Sequence, residues 1–261
     1  MDFSGILLAG GKSLRFGPNK IKIMSGRVPL LIEQAVKLGF FAGEIIISTS
    51  LENRAYIETI FSGFKDYLKI MDVPGDYIRP SVKTVVDDNN IAGSGRSIGP
   101  IAGIYTGLKN INSRRGLVLA ADMPFISFRL LEFLTAEAER LPFSDAVITK
   151  NRKGTEALCG IYSRKCIKII EESIKNGFYK ISDILGMMDV RWVGVRDLKR
   201  RGIDIYNFFN INLPGDIQEY EHLLEKGVEG YGTDNISSGT GQKWKDNFYR
   251  GTGKGTFQEE I

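Results

Sequence analysis

The chain has 261 residues, 43% of them hydrophobic and 25% charged, which is enough to bury a substantial core in one α/β domain or a domain with an appendage. A net charge of +4 without any Lys/Arg block suits an anionic small substrate at least as well as nucleic acid, and the single histidine, His222, excludes Ser-His-Asp triads, Cys-His triads and histidine-rich metal sites. No apolar run reaches the length of a membrane span and the Met1-Asp2 start lacks a signal-peptide pattern, so a cytoplasmic chain is expected.

Residues 4–9 form an apolar run that ends in Gly10-Gly11, which predicts a buried strand opening into a glycine loop. Helical apolar spacing over residues 30–40, an Ile-Ile-Ile strand at 44–48 and a further helix at 52–61 continue a βαβ alternation. Residues 64–81, with Pro74-Gly75 and Pro80, interrupt that alternation and read as an insertion. Strands are expected at 83–86, 117–121 and 146–149, and helices at 101–110 and 128–140. Residues 160–162 end another strand, 164–175 read as a helix, and a last strand at 208–211 precedes a helix at 216–226 that places His222 on a solvated surface. Cys159 and Cys166 form no C-x-x-C and read as buried thiols. From Gly227 onward periodicity fades into Gly, Ser and Thr, the composition of a flexible tail. The fold class is therefore α/β, a doubly wound, mostly parallel sheet over residues 1–226 with a tail at 227–261.

The first loop carries chemistry. Leu8-Ala9-Gly10-Gly11 lets backbone N–H groups approach a phosphate chain with no Cβ in the way, and Arg15 and Lys20 add the positive charge that a triphosphate requires. A tight turn with solvated basic residues is the plain alternative. The loop lacks the G-x-x-x-x-G-K-[ST] pattern, and the later Gly93-Ser94-Gly95 segment follows a polar stretch where a dinucleotide fingerprint follows a strand.

Taken as Leu8-Ala9-Gly10-Gly11-x-Ser13-x-Arg15-Phe16-Gly17-x-x-Lys20, the loop resembles the signature of molybdenum cofactor guanylyltransferases, within the wider group of sugar-phosphate and cytidylyl transferases. Three further blocks agree with that family in order and spacing: Gly99-Pro100-Ile101-Ala102-Gly103-Ile104, Ala121-Asp122-Met123-Pro124-Phe125, and Phe209-Asn210-Ile211-Asn212-x-Pro214-x-Asp216. The resemblance implies a Rossmann-like nucleotidyltransferase fold and a Mg²⁺-dependent transfer of GMP from GTP to molybdopterin cofactor, with pyrophosphate released. It implies GTP and molybdopterin as partners alongside accessory proteins of molybdenum enzymes, with no nucleic-acid or membrane partner. Asn19 stands where the family usually has Asp, and Ser48-Thr49-Ser50 where many members carry Asn near the base.

Asp122 follows an apolar strand, so it is expected at a strand's C-terminal end, where open α/β sheets bind ligands and where a carboxylate can hold Mg²⁺ against phosphate oxygens. An Asx-turn, or a cap for the helix near Phe128, is the structural alternative. Of Asp87-Asp88, the second aligns better with the family's acidic residue near nucleotide and metal, and Asp87 reads as its solvated neighbour. Leu8, Ala9, Gly10, Gly11, Lys20, Ser48 and Asp88 make the expected nucleotide side; Arg15, Lys20 and Asp122 make the catalytic set, with Asp122 and Asp88 as metal ligands. Asn210 and Asn212 alternate at a strand end and can offer amides to metal-bound phosphate or acceptor, with a turn-forming Asn before Pro214 as the structural alternative. On the acceptor side, segments 156–162 and 177–182 resemble those lining the family's pterin site, with core and turn roles as the plain alternative, and Lys180 is the residue suited to meet the acceptor's phosphate. A cytidylyl or sugar-phosphate transferase on the same fold and a non-catalytic cofactor-binding module are the competing functions.

Overall fold

The computed structural model describes residues 2–10, 21–92, 98–151 and 154–226. Along the chain, β1 (Phe3–Leu8) is followed by a small hairpin, β2 (Met24–Ser25) and β3 (Val28–Pro29), then α1 (Leu30–Gly39), β4 (Glu44–Thr49), α2 (Leu51–Ser62), α3 (Phe64–Ile70) and β5 (Ser81–Val86). Next come α4 (Pro100–Asn110), β6 (Arg115–Ala120), α5 (Phe128–Arg140), β7 (Ala146–Asn151), β8 (Gly154–Ser163) and α6 (Cys166–Lys175). The described chain closes with α7 (Ile181–Leu185), β9 (Val190–Gly194), α8 (Val195–Arg200) and α9 (Pro214–Glu225).

Seven strands form one sheet in the order β5-β4-β1-β6-β8-β7-β9. β5, β4, β1 and β6 are mutually parallel and β7 is parallel to β9, while β8 runs against both β6 and β7. The α/β, mostly parallel architecture is the one read from the sequence. Its two-sided burial explains why the central strands are continuous apolar runs. Alternate residues serve opposite faces: Leu7, Ile45, Ile47, Leu117 and Leu119 pack into one core with α1 and α5, whereas Ile6, Leu8, Ile46 and Val118 pack into another with α4 and α6. Cys159 and Cys166 are free, buried thiols, held by burial above the ordinary thiol range.

At the edge where the parallel strands begin, the Glu44 carboxylate accepts hydrogen bonds from Ser4 Oγ at 2.5 Å, from the Asn112 N–H at 2.6 Å and from Asn112 Nδ2 at 2.6 Å. Burial pushes its pKa up, but these bonds together outweigh burial and hold the carboxyl below the usual range. The segment read as an insertion, 64–81, holds α3 and a loop that packs onto α1: Phe64 and Met71 are buried, the Tyr77 and Phe40 rings lie 4.9 Å apart, and Tyr77 Oη meets the Val36 carbonyl at 3.4 Å. The expected strand at 208–211 is absent. Residues Ile205–Phe208 form a 3₁₀ turn, Asn207 is buried with its side chain bonded to Ser127, and Phe208 and Ile211, three residues apart, anchor in two different clusters. That spacing suits a strap across the fold better than the two-residue period of a strand. His222 is exposed on α9. No helix among the described residues is long and apolar enough to cross a membrane, and the expected tail at 227–261 lies outside them.

Candidate active site

Backbone ladders run one residue past the parallel strands, with Ala9 N–H donating to the Ser48 carbonyl, Asp87 N–H to Thr49 and Ala121 N–H to Leu8. Leu8, Ala9, Gly10, Ser48, Asp87 and Asp122 therefore converge on the C-terminal edge of the sheet, the edge at which open α/β sheets take ligands. The Asp87 carboxylate leans over this edge. Ser48 Oγ donates to its Oδ1 at 2.5 Å, and Oδ2 lies so close to Gly10 that a Cβ there would collide with it. Burial raises the Asp87 pKa, and the Ser48 hydroxyl offsets part of that rise. Helix α4 closes over the same point because Gly103 brings its backbone against Leu8 Cδ2, where a Cβ would sit 3.0 Å away.

Asp88 points elsewhere. Its backbone N–H donates to Thr106 Oγ1 at 2.8 Å, and its exposed carboxylate lies 4.0 Å from Lys109 Nζ. The residue facing Gly10 and Ser48 is thus Asp87, the expected solvated neighbour, and not Asp88. Strand parity carried the signal: Leu8, Ile46 and Val85 share the α4 face, and Gly10, Ser48 and Asp87 continue those same rows. Ser48 is fully buried with its hydroxyl committed to Asp87, so it supports that carboxylate.

Asp122 lies in the turn after β6, half-buried, with its carbonyl accepting from the Ile211 N–H at 3.0 Å. It does not cap the next helix: that cap is Ser127, whose Oγ accepts from the Leu130 N–H at 3.2 Å. Asp122 and Asp87 leave strands three spacings apart, about 14 Å at the backbone, and Asp87 spans part of that gap by leaning toward Gly10. Among the described residues no group of three His, Cys, Asp or Glu forms a ligand cluster. One or two carboxylates completed by phosphate oxygens and water is a donor set of the kind that suits Mg²⁺.

Beside Asp122, the edge opens into a cavity of about 620 Å³, within the range of small-molecule sites. Gly99 and Pro100 at the N-terminus of α4, Thr155 to Leu158 of β8, Tyr179 to Ser182, Met123 and Asn210 line it. The two segments singled out for the acceptor, 156–162 and 177–182, thus meet across one cavity, with Lys180 on its wall. A wide bulge makes room. Between Ile148 and Thr149 the β7–β8 register jumps from Gly160 to Glu156, and the buried Tyr162 Oη holds the displaced Ala157 carbonyl at 2.7 Å. Asn210 also lines the cavity, but Asn212 is exposed beside the first turn of α9, where its N–H bonds Asp216 at 2.7 Å. Asn212 therefore does not join Asn210 in lining the cavity. Gly11, Arg15 and Lys20 lie outside the described residues.

Comparison with known proteins shows what this chain is similar to in family and fold. A family model described as MobA-like NTP transferase domain matches residues 5–188. A protein of Pelotomaculum thermopropionicum called probable molybdenum cofactor guanylyltransferase is 27% identical over 88% of this chain and 97% of its own length. A molybdenum cofactor guanylyltransferase of Desulfosudis oleivorans is 25% identical over 86% and 96%, respectively. Among solved structures, molybdopterin-guanine dinucleotide biosynthesis protein A from Archaeoglobus fulgidus superposes with a TM-score of 0.65 at 25% identity, covering 86% of this chain and 99% of that one.

Proposed function

This chain belongs to the MobA-like NTP transferase domain family, and from that membership we propose that it transfers GMP from GTP to molybdopterin cofactor, forming the guanine dinucleotide cofactor and pyrophosphate. One observation carries the reading: Asp122 stands on the nucleotide edge and the next residue, Met123, lines the cavity, so the two binding regions meet across a single peptide bond. A phosphoryl group bound on one side lies within reach of an acceptor bound on the other.

In this reaction an oxygen of the acceptor's terminal phosphate attacks the α-phosphorus of GTP in line. The bond from that phosphorus to the bridging oxygen breaks, and pyrophosphate leaves with the electron pair. A phosphomonoester is mostly dianionic at pH 7, its second pKa being about 6, so the nucleophile arrives deprotonated and no general base is required. Asp122 is assigned to hold Mg²⁺, which supplies charge neutralisation on the triphosphate when bound. Asp87 replaces Asp88 as the nucleotide-side carboxylate, and Lys20, Arg15 and the loop amides are assigned to phosphate charge. Lys180 orients the acceptor's phosphate. The setting is cytoplasmic, and accessory proteins of molybdenum enzymes are the natural recipients of the product.

Ser48 and its neighbours, standing where related proteins often carry Asn, make the base the part to test first. Thermal shifts with GTP, ATP, CTP and UTP, each with Mg²⁺, measure it directly, since a ligand at 100 times its Kd stabilises by about 2.7 kcal/mol. GTP is expected to give the largest shift. An equal or larger shift with CTP favours the cytidylyl alternative, and binding without pyrophosphate release favours a non-catalytic module.

A further inference from the structure

Helix α1 is buried along its whole length, yet it carries Glu33 and Lys37 one turn apart. Their side chains are 3% and 1% exposed and meet at 2.6 Å. An ion pair in such a place is hard to account for as a stabilising device, because desolvating both charges consumes most of their attraction and apolar residues of similar volume often do as well or better. Lys37, however, makes a second contact: its Nζ donates to the buried carbonyl of Pro124 at 3.3 Å.

Pro124 belongs to the irregular segment between β6 and α5 that carries Asp122 and Met123. That segment borrows its partners from elsewhere. Ile211 N–H holds the Asp122 carbonyl, Asn207 Oδ1 accepts from both the N–H and the hydroxyl of Ser127, and Lys37 holds the carbonyl between them. Ile211 and Asn207 come from the strap, whereas Lys37 reaches the segment from α1. Burial pushes the Lys37 ammonium's pKa down, and the adjacent Glu33 carboxylate offsets part of that fall.

We propose that the Glu33–Lys37 pair is a positioning device, with Lys37 fixing the Pro124 carbonyl so that Asp122, two residues earlier, is held where it meets the metal and nucleotide. This rests on the reading of Asp122 as the metal carboxylate. Groups behind a metal ligand set its orientation, and losing one weakens metal affinity or activity by about 10- to 100-fold.

The test separates stability from metal use in two variants. Glu33→Leu combined with Lys37→Met removes both ionisable groups and keeps the volume apolar, whereas Glu33→Gln keeps the Lys37 amine and its N–H donation to the Pro124 carbonyl. Mn²⁺ binding is followed through loss of the free-ion paramagnetic resonance signal, in the presence of a non-hydrolysable GTP analogue, with the melting temperature measured alongside. The double variant is expected to melt near or above the wild type and to bind Mn²⁺ about tenfold more weakly. Glu33→Gln is expected to melt lower and to bind Mn²⁺ as the wild type does. Unchanged Mn²⁺ affinity in a folded double variant, or an affinity in Glu33→Gln that falls along with its stability, overturns the proposal; if the double variant does not fold, Glu33→Gln alone decides. Asp122→Asn is the control. If it leaves Mn²⁺ binding unchanged, the assignment of Asp122 fails, whereas weaker binding in Asp122→Asn together with a wild-type double variant fails the positioning role alone.

Discussion

The two halves of the sheet reach the same edge in different ways. In the β5-β4-β1-β6 half every strand ends there, and the edge is built from backbone ends, a glycine and carboxylates, with Gly10 leaving room for Asp87 and Gly103 letting α4 close on Leu8. In the other half β8 runs the opposite way, so its first residues arrive at the edge, and the bulge between Glu156 and Gly160 adjoins a cavity beside Met123. In the proposed reaction the first arrangement would offer charge and backbone to the nucleotide, and the second a shaped volume to the acceptor. If this division holds, substitutions in one half should leave the other half's ligand untouched.

The largest effect is expected at the junction. Asp122→Asn keeps the size of the side chain and removes its charge, and pyrophosphate release should fall by about 10²-fold or more with little change in melting temperature. Ser127 already caps α5, so a purely structural Asp122 would give near-wild-type turnover at saturating Mg²⁺.

The next effect separates the neighbouring aspartates. Asp87→Asn should weaken GTP binding by about tenfold, as expected for losing a charged hydrogen-bonding group, while Asp88→Asn, whose partner Lys109 is 4.0 Å away at the surface, should change it by less than about twofold. Because burial raises the Asp87 pKa, ionising this carboxylate works against the fold, and that cost grows as pH rises through the folded-state pKa. The ligand-free Asp87→Asn protein should therefore be at least as stable as wild type at pH 7 while binding GTP less well, and melting curves beside a GTP titration read both. Equal GTP affinity in the two variants would return the assignment to neither aspartate.

On the acceptor side, Lys180→Ala should raise the KM for acceptor by about three- to tenfold and leave GTP affinity unchanged. A parallel loss of GTP affinity would break the division between the halves.

How far the sequence disclosed this arrangement followed the same division. The parallel half was readable because buried strands such as Ile45-Ile46-Ile47 are apolar runs bounded by turns, and because Gly10-Gly11 and Asp122 stand at their ends. Choosing between Asp87 and Asp88 required counting residue parity from Val85 across three strands, a tertiary relation that local pattern does not display. The reversed direction of β8 has no local signature either, since a strand reads the same in both orientations, and so the cavity emerged only when segments 156–162 and 177–182 came together. Within the strap at 205–211, residues 208–211 looked like a strand because they are mostly apolar; Phe208 and Ile211 anchor three apart, with Asn207 buried to hold Ser127. Lys37 gave no signal, because on an amphipathic helix a lysine four residues after a glutamate is the ordinary pattern of a solvated face.

The smallest expected effect lies at the opposite edge, where the parallel half serves stability alone. Glu44 is held below the usual carboxylate range, so its contribution is present above the unfolded-state pKa and is lost as pH falls through the folded-state value. Glu44→Gln should melt lower at pH 7, on the order of 1–3 °C, with the gap closing below about pH 4 and GTP affinity unaffected.

The central claim is guanylyl transfer between the two halves, and pyrophosphate release tests it most directly. With molybdopterin cofactor as acceptor and Mg²⁺ present, each of GTP, ATP, CTP and UTP is supplied in turn at equal concentration. Release should require acceptor and metal together and should be at least about tenfold faster with GTP, a preference of about 1.4 kcal/mol in transition-state binding. Equal or faster release with CTP, or no acceptor-dependent release from any of the four, would contradict it.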